Sequence, residues 1–280
     1  MVKRNKKLSF FFLRLALISL AISDLLLFST FFYDKDLKLE PGLIIKPPVA
    51  QAHTNVPLPI LIYHYVEYVK DPGDTIRQSL NILPATFEAQ IKTLKDAGYT
   101  FITPNQIDDL EKGRLAVEKP IVLSFDDGYE DFYTDVLPII KKYNVRVVAY
   151  VVSGFVDHKN YLTSKQLQAA IDSQLVEVGA HSMHHLALAK IDPVRARDEV
   201  VLSKDYLEKN FGIKVSSFAY PYGSFNSDVV EYVQFAGFSN AVTIVEGTNL
   251  NLEAEYVLKR IHPGVRVGKD LIKFVEKDGI

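Results

Sequence analysis

The 280-residue chain contains no cysteine. Disulfides and thiolate metal sites are excluded, so any metal must sit on His, Asp or Glu. The chain also lacks an excess of charge of either sign. Its 32 Lys and Arg stand against 34 Asp and Glu, a formal net charge of −2. A general nucleic-acid binder carries a strong basic excess, so no nucleic-acid partner is expected. Gly (14) and Pro (13) are at ordinary levels, which excludes a fibrous or largely disordered chain. What is present is apolar residue, 48% of the total, enough for one large cored domain and an appendage.

The appendage is N-terminal. Lys3, Arg4, Lys6 and Lys7 form a basic start, and residues 8–33 are almost wholly apolar, broken by Arg14, Asp24 and a few Ser and Thr. A bilayer span needs roughly 20 such residues. The basic end stays in the cytoplasm and places the remainder outside. Arg14 can snorkel from near one end, whereas a carboxylate at Asp24 is costly in lipid. A cleaved signal peptide is the rival reading, with Ala21-Ile22-Ser23 as the cleavage site. Cleavage there leaves a greasy tail, residues 25–33, on the mature chain. Ala50-Gln51-Ala52 lies too far past the apolar run. The expectation is therefore an uncleaved N-terminal transmembrane helix, residues 1–33, in the cell membrane. The chain would be secreted if the segment is cut. Residues 34–57 read as a linker and 58–280 as the extracytoplasmic folded domain.

In that domain strands and helices alternate. Apolar runs at 60–66, 99–102, 120–125, 145–152, 175–180, 215–219, 240–245 and 256–261 predict strands. Helical spacing predicts helices at 87–97, 104–112, 131–143, 164–172, 193–210, 227–236 and 269–277. Pro138 predicts a kink or a late start in the third of these. Residues 71–83 show no pattern and are expected to form a loop at the mouth of the fold. Continuously apolar strands alternating with helices imply an α/β fold with a parallel sheet covered on both faces. Seven or eight such units favour a (β/α)7–8 barrel over an open sheet.

Polar groups gather at the C-terminal ends of these strands, where α/β barrels assemble active sites. Ser124-Phe125-Asp126-Asp127-Gly128 places two carboxylates after an apolar strand. One can bind a metal while the other acts as a base. The same turn also serves as a plain helix cap. Ala180-His181-Ser182-Met183-His184-His185 holds three of the seven histidines. His181 and His185, four apart, would share a face on one helical turn, although spacing alone does not decide between His184 and His185. Two imidazoles and a carboxylate make an incomplete metal shell, open to water and substrate. Phe218-Ala219-Tyr220-Pro221-Tyr222-Gly223 forms a turn that can aim a backbone N–H at an oxyanion, or simply joins strand to helix. His64 and His262 stand alone near apolar strands, where a histidine is more often a hydrogen-bonded core residue than a catalyst.

The order SFDDG, HSMHH, YPYG resembles the polysaccharide deacetylase family (carbohydrate esterase family 4, NodB-like) over roughly residues 58–262. The AYPYG form and the early LIYHYV strand are most similar to the poly-β-1,6-N-acetylglucosamine deacetylase branch. The resemblance implies a distorted barrel and a hydrolase that removes N-acetyl groups from a polysaccharide. It implies Asp126 as general base, and Asp127, His181 and His185 as ligands of Zn2+ or another divalent ion. The Tyr222 N–H would serve the oxyanion hole. His64 is implied as general acid, with His262 second. Two features depart from the family pattern. Ala219 stands where many members carry an Arg that contacts the base, and the chain has no Trp for the usual motif that orients the acid. Two rival functions remain, a catalytically inactive carbohydrate-binding barrel and a small-molecule deacetylase.

Overall fold

The computed structural model describes residues 57–69, 73–250, 252 and 254–277. The expected membrane segment, and all but the last residue of the expected linker, lie outside them. Among the described residues no helix is long and apolar enough to cross a membrane.

In chain order the elements are β1 (Ile60–Tyr63), β2 (Tyr65–Val66), α1 (Thr75–Leu80), β3 (Asn81–Ile82), α2 (Pro84–Asp96), β4 (Thr100–Phe101), α3 (Ile107–Glu111), β5 (Pro120–Phe125) and α4 (Leu137–Tyr143). There follow β6 (Val147–Val151), α5 (Ser164–Asp172), β7 (Val176–Ala180), α6 (Pro193–Phe211), β8 (Ser217–Ala219), α7 (Ser227–Phe235), β9 (Asn240–Glu246), β10 (Leu258–Arg260) and α8 (Gly268–Lys277). Local chemistry sets several of their boundaries. Pro84 opens α2, which buries Phe87, Ile91 and Leu94 on one face. Thr163 and Gln166 form a capping box on α5. The Asp192 carboxylate caps α6, and Gly212 ends it in the left-handed region.

The main sheet is parallel throughout, in the order β1-β5-β6-β7-β8-β9-β10, with β4 beside the start of β5. It closes on itself. Ile62 N–H donates to Ile261 O at 3.1 Å, and Ile261 N–H donates to Ile60 O at 2.9 Å. The ring is uneven. Strands β7 and β8 share a single register pair, Ala180↔Phe218, and the β9–β10 register shifts before Arg260. The expected barrel is thus present in a distorted form.

Strand alternation divides the core in two. Leu61, Leu123, Phe125, Val147 and Ala149 pack outward under the helices. Ile60, Val122, Val148, Tyr150, Ala219, Val242 and Leu258 form a separate cluster inside the barrel. Continuing the inward rows by two residues at a time leads from Ile60 to His64, from Val122 to Asp126, and from Leu258 to Arg260 and His262. The pleat therefore delivers these side chains to the barrel mouth.

Two expectations need correction. Within the segment expected to be patternless loop, the described residues 73–83 are structured. Asp74 caps α1 by accepting from Arg77 N, and β3 pairs with β2. Asn81 secures that pair through reciprocal 3.0 Å bonds with the Glu67 backbone. The strand foreseen at 60–66 is broken at His64, where the chain bends between β1 and β2. Pro138 acts as anticipated, since α4 starts late, after a π-helical turn at Phe132–Val136.

Candidate active site

At the C-terminal ends of the strands a cavity of about 660 Å3 opens, lined by His64, Asp126, Asp127, His181, His185 and His262, with Tyr129, Phe155, Tyr161, Tyr220 and Tyr222 around them. The backbone there is unusually bent. Asp127 (φ 75°), Ser182 (φ 59°), His185 (φ 55°) and Tyr222 (φ 56°) all take left-handed conformations. Such strain costs on the order of 1 kcal/mol per residue and persists where surrounding contacts over-determine it. Here it turns side chains from three separate loops toward one point.

Asp126 lies at the end of the inward row of β5 and is buried. Its partner is Arg260, also buried, from β10. Nη1 donates to Oδ1 and Nη2 to Oδ2, each at 2.7 Å. Arg260 is itself fixed by Nε donating to Thr243 O at 2.7 Å and by Nη1 donating to Ser124 Oγ at 3.2 Å. Burial would raise the Asp126 pKa, but the Arg260 charge, with His181 beside it, holds the carboxyl below its usual range. The arginine missing at Ala219 is thus supplied from another strand. Sequence reading passed over Arg260, although the alternation of buried Leu258, exposed Lys259 and buried Arg260 is a recognisable inward pattern.

Asp127, His181 and His185 offer a carboxylate oxygen and two imidazole nitrogens within 4.8 Å of one another. His181 Nδ1–H donates to Ala219 O at 2.7 Å, which leaves Nε2 bare and facing the site. The Nε2 atoms of His181 and His185 lie 3.4 and 3.1 Å from Asp127 Oδ1. That oxygen is nonetheless buried without a hydrogen-bond partner. The three donor atoms therefore aim at a shared point rather than at each other, as ligands of a small cation do. Burial would keep His181 from holding a positive charge, yet the facing Asp127 and Asp126 carboxylates raise its pKa. A field that favours a proton there favours a divalent cation as well. The chemistry of the donor set fits such an ion.

The pairing of His181 with His185 was foreseen, but not its geometry. No helix exists here. The left-handed turns at Ser182 and His185 bring the rings to 4.9 Å between centroids. His184 is drawn elsewhere, to Glu199 of α6. Its backbone N–H donates to Oε2 at 2.7 Å, and its Nδ1 meets Oε1 at 2.8 Å. Glu199 is buried and was not anticipated from the sequence. It anchors the loop from behind.

Of the two lone histidines, His64 is partly buried and His262 exposed, with rings 6.5 Å apart and nearly parallel. Burial lowers the His64 pKa, and the Asp126 and Asp127 charges oppose that. Burial, then the His64 charge, lowers that of His262. Tyr222 sits in the turn closed by Gly223 N–H to Tyr220 O, its ring centroid 4.5 Å from that of His185. Gly223 suits the spot, because a Cβ there would lie 2.4 Å from an Ile244 side-chain carbon.

Residues 114–241 match the family model described as polysaccharide deacetylase. That stretch includes Asp126, Asp127, His181, His185 and Tyr222. The chain carries a polysaccharide deacetylase domain. It is similar to YxkH of Bacillus subtilis, named for the same family, at 28% identity over 211 residues, covering 74% of this chain and 72% of that one. It is 27% identical over 218 residues to the poly-β-1,6-N-acetyl-D-glucosamine N-deacetylase of Staphylococcus aureus, covering 72% and 75%. Among solved structures it resembles the Streptococcus pyogenes deacetylase PplD in complex with acetate. There the TM-score is 0.72 and the identity 28%, over 79% of this chain and 98% of that one. As a polysaccharide deacetylase, the chain is a hydrolase that acts on amide bonds.

Proposed function

We propose that this deacetylase removes N-acetyl groups from a polymer containing N-acetylglucosamine, outside the cytoplasmic membrane. The observation that carries the reading is the convergence of the Asp127, His181 and His185 donor atoms beside a second carboxylate, Asp126, that forms no part of that set. The cavity around them is open and edged by aromatic rings, which suits a sugar chain. The membrane location rests on residues 1–33 of the sequence.

Asp127, His181 and His185 would hold Zn2+ or another divalent ion. Such an ion would supply a Lewis acid to the acetamide carbonyl oxygen. Asp126 takes a proton from the attacking water as the new C–O bond forms. Both its oxygens already accept from Arg260, so it stays ionised and keeps a lone pair free for that proton. The Tyr222 N–H stabilises the negative charge that develops on the carbonyl oxygen. His64, protonated, donates to the amide nitrogen as the C–N bond breaks, and acetate and a primary amine leave. His262, exposed at the same edge, is the second choice for this role.

The deciding experiment measures acetate release from poly-β-1,6-N-acetylglucosamine, peptidoglycan and chitin oligomers, with and without a chelator. Chelator-sensitive release from one of the three is expected. A protein that retains a divalent metal and releases acetate from none of them is instead a carbohydrate-binding barrel.

A further inference from the structure

The loop that presents His181 and His185 is held in shape by groups that take no part in the reaction. Two of its residues, Ser182 and His185, have positive φ. Backbone of that kind persists only where its surroundings over-determine it. The turn after β6 supplies part of the hold. Ser153 N–H donates to Ser182 O at 3.2 Å, and Gly154 N–H donates to Met183 O at 2.9 Å. Gly154 is needed there for space, since a Cβ on it would lie 2.4 Å from Met183 O and 3.3 Å from His184 Cδ2.

Glu199 of α6 supplies the rest. Its main-chain carbonyl accepts from Met183 N–H at 3.1 Å. Its carboxylate takes His184 twice, one oxygen at the backbone N–H and the other at Nδ1. Glu199 is 4% exposed, on the helix face it shares with Ala196, Val200 and Leu207. Packing alone calls for an apolar residue at such a position. A carboxylate buried there is costly unless its oxygens are bonded, and both are spent on His184. The neighbouring His185 is left to turn the other way. Its N–H donates to Ser182 Oγ at 2.9 Å, and its Nε2 lies 3.1 Å from Asp127 Oδ1.

We propose that Glu199 is a positioning residue for the metal ligands. By holding His184 against α6 it decides which of two adjacent histidines faces Asp127, and it keeps the strained loop in the conformation that binds a divalent ion. The role rests on the reading of Asp127, His181 and His185 as ligands. Gly154 serves the same end by letting the loop approach the β6 turn. The His184 ring itself is dispensable, because its side chain is 56% exposed and the backbone bond to Glu199 remains without it.

The test measures Zn2+ affinity rather than turnover. It uses the full-length protein in detergent, stripped of metal, in competition with a chromophoric chelator, and urea denaturation runs alongside. Glu199→Leu suits the core-facing position and should keep the urea midpoint, yet weaken Zn2+ about 10–100-fold, the usual effect of losing a group that orients a ligand from outside. Glu199→Gln keeps an acceptor for His184 N–H and should recover most of that loss. Gly154→Ala should weaken Zn2+ in the same direction. Leu207→Ala, about two turns farther along α6, opens a cavity and should lower the urea midpoint while leaving Zn2+ affinity unchanged. His184→Ala should also bind Zn2+ as the wild type does. Wild-type affinity in Glu199→Leu overturns the role. An equal loss in Leu207→Ala also overturns it, because affinity then only follows stability. A loss in His184→Ala as large as in His181→Ala makes His184 a ligand, with the same result. A wild type that takes up no Zn2+ overturns the reading of the three ligands, and the role falls with it.

Discussion

The Arg260 guanidinium grips the Asp126 carboxylate at 2.7 Å through both of its terminal nitrogens, from a position 134 residues away in sequence. Both groups are buried. An ion pair in this setting stabilises little in itself, but loss of one partner strands the other. Arg260→Met is therefore expected to lower the unfolding free energy by roughly 3–5 kcal/mol, as measured by urea denaturation. Arg260→Lys keeps the charge but cannot form the fork. It should fold, with a reduced kcat. A fully stable Arg260→Met protein contradicts the pairing seen here.

Asp126→Asn should reduce kcat by about 100-fold or more, the usual weight of a general base, and should leave metal affinity nearly intact. Titration with a divalent metal ion checks the second half. Lost metal affinity in this variant, with affinity kept in Asp127→Asn, would reverse the roles given to the two aspartates.

His64→Ala and His262→Ala separate the candidates for the acid. His64 is the more buried and lies in the field of both aspartates, so its removal should lower kcat by about 100-fold or more. His262→Ala should cost far less. The opposite ranking moves the acid to the later histidine.

Stability should depend on pH through Asp131. Burial pushes its pKa up from 3.8 to about 6, with the backbone donor at Val66 opposing. The folded state thus holds this proton more tightly than the unfolded state. The stabilisation is complete below about pH 4 and is lost as pH rises through 6, a difference of up to about 3 kcal/mol. Asp131→Asn should flatten that segment of the denaturation profile and raise stability at pH 7. An unchanged profile shows that another group titrates there.

Much of the site was legible because it broke a pattern. Strand β5 is apolar for its whole length, so Asp126 and Asp127 at its end stand out, as do the histidines after β7. Arg260 did not, because β10 has three residues and its partner lies on β5, across the barrel seam. The i,i+4 argument selected His181 and His185 but assumed a helix. Backbone at positive φ does the same job, and nothing in Ser182 or His185 as residue types announces it. Helix α1 was invisible for a simpler reason. None of its residues is buried, so it carries no apolar period to read. Its evidence is the cap at Asp74. Residues 1–33 carry the clearest hydrophobic signal in the chain and lie outside the described residues.

The seam where Ile261 meets β1 carries a consequence for how the protein is made. Until the last strand is in place, the barrel is an open sheet and Asp126 lacks its arginine partner. A nascent chain that stops short of Arg260 has neither a closed wall nor a finished reaction centre. Assembly of the scaffold and acquisition of activity are in this way one late event.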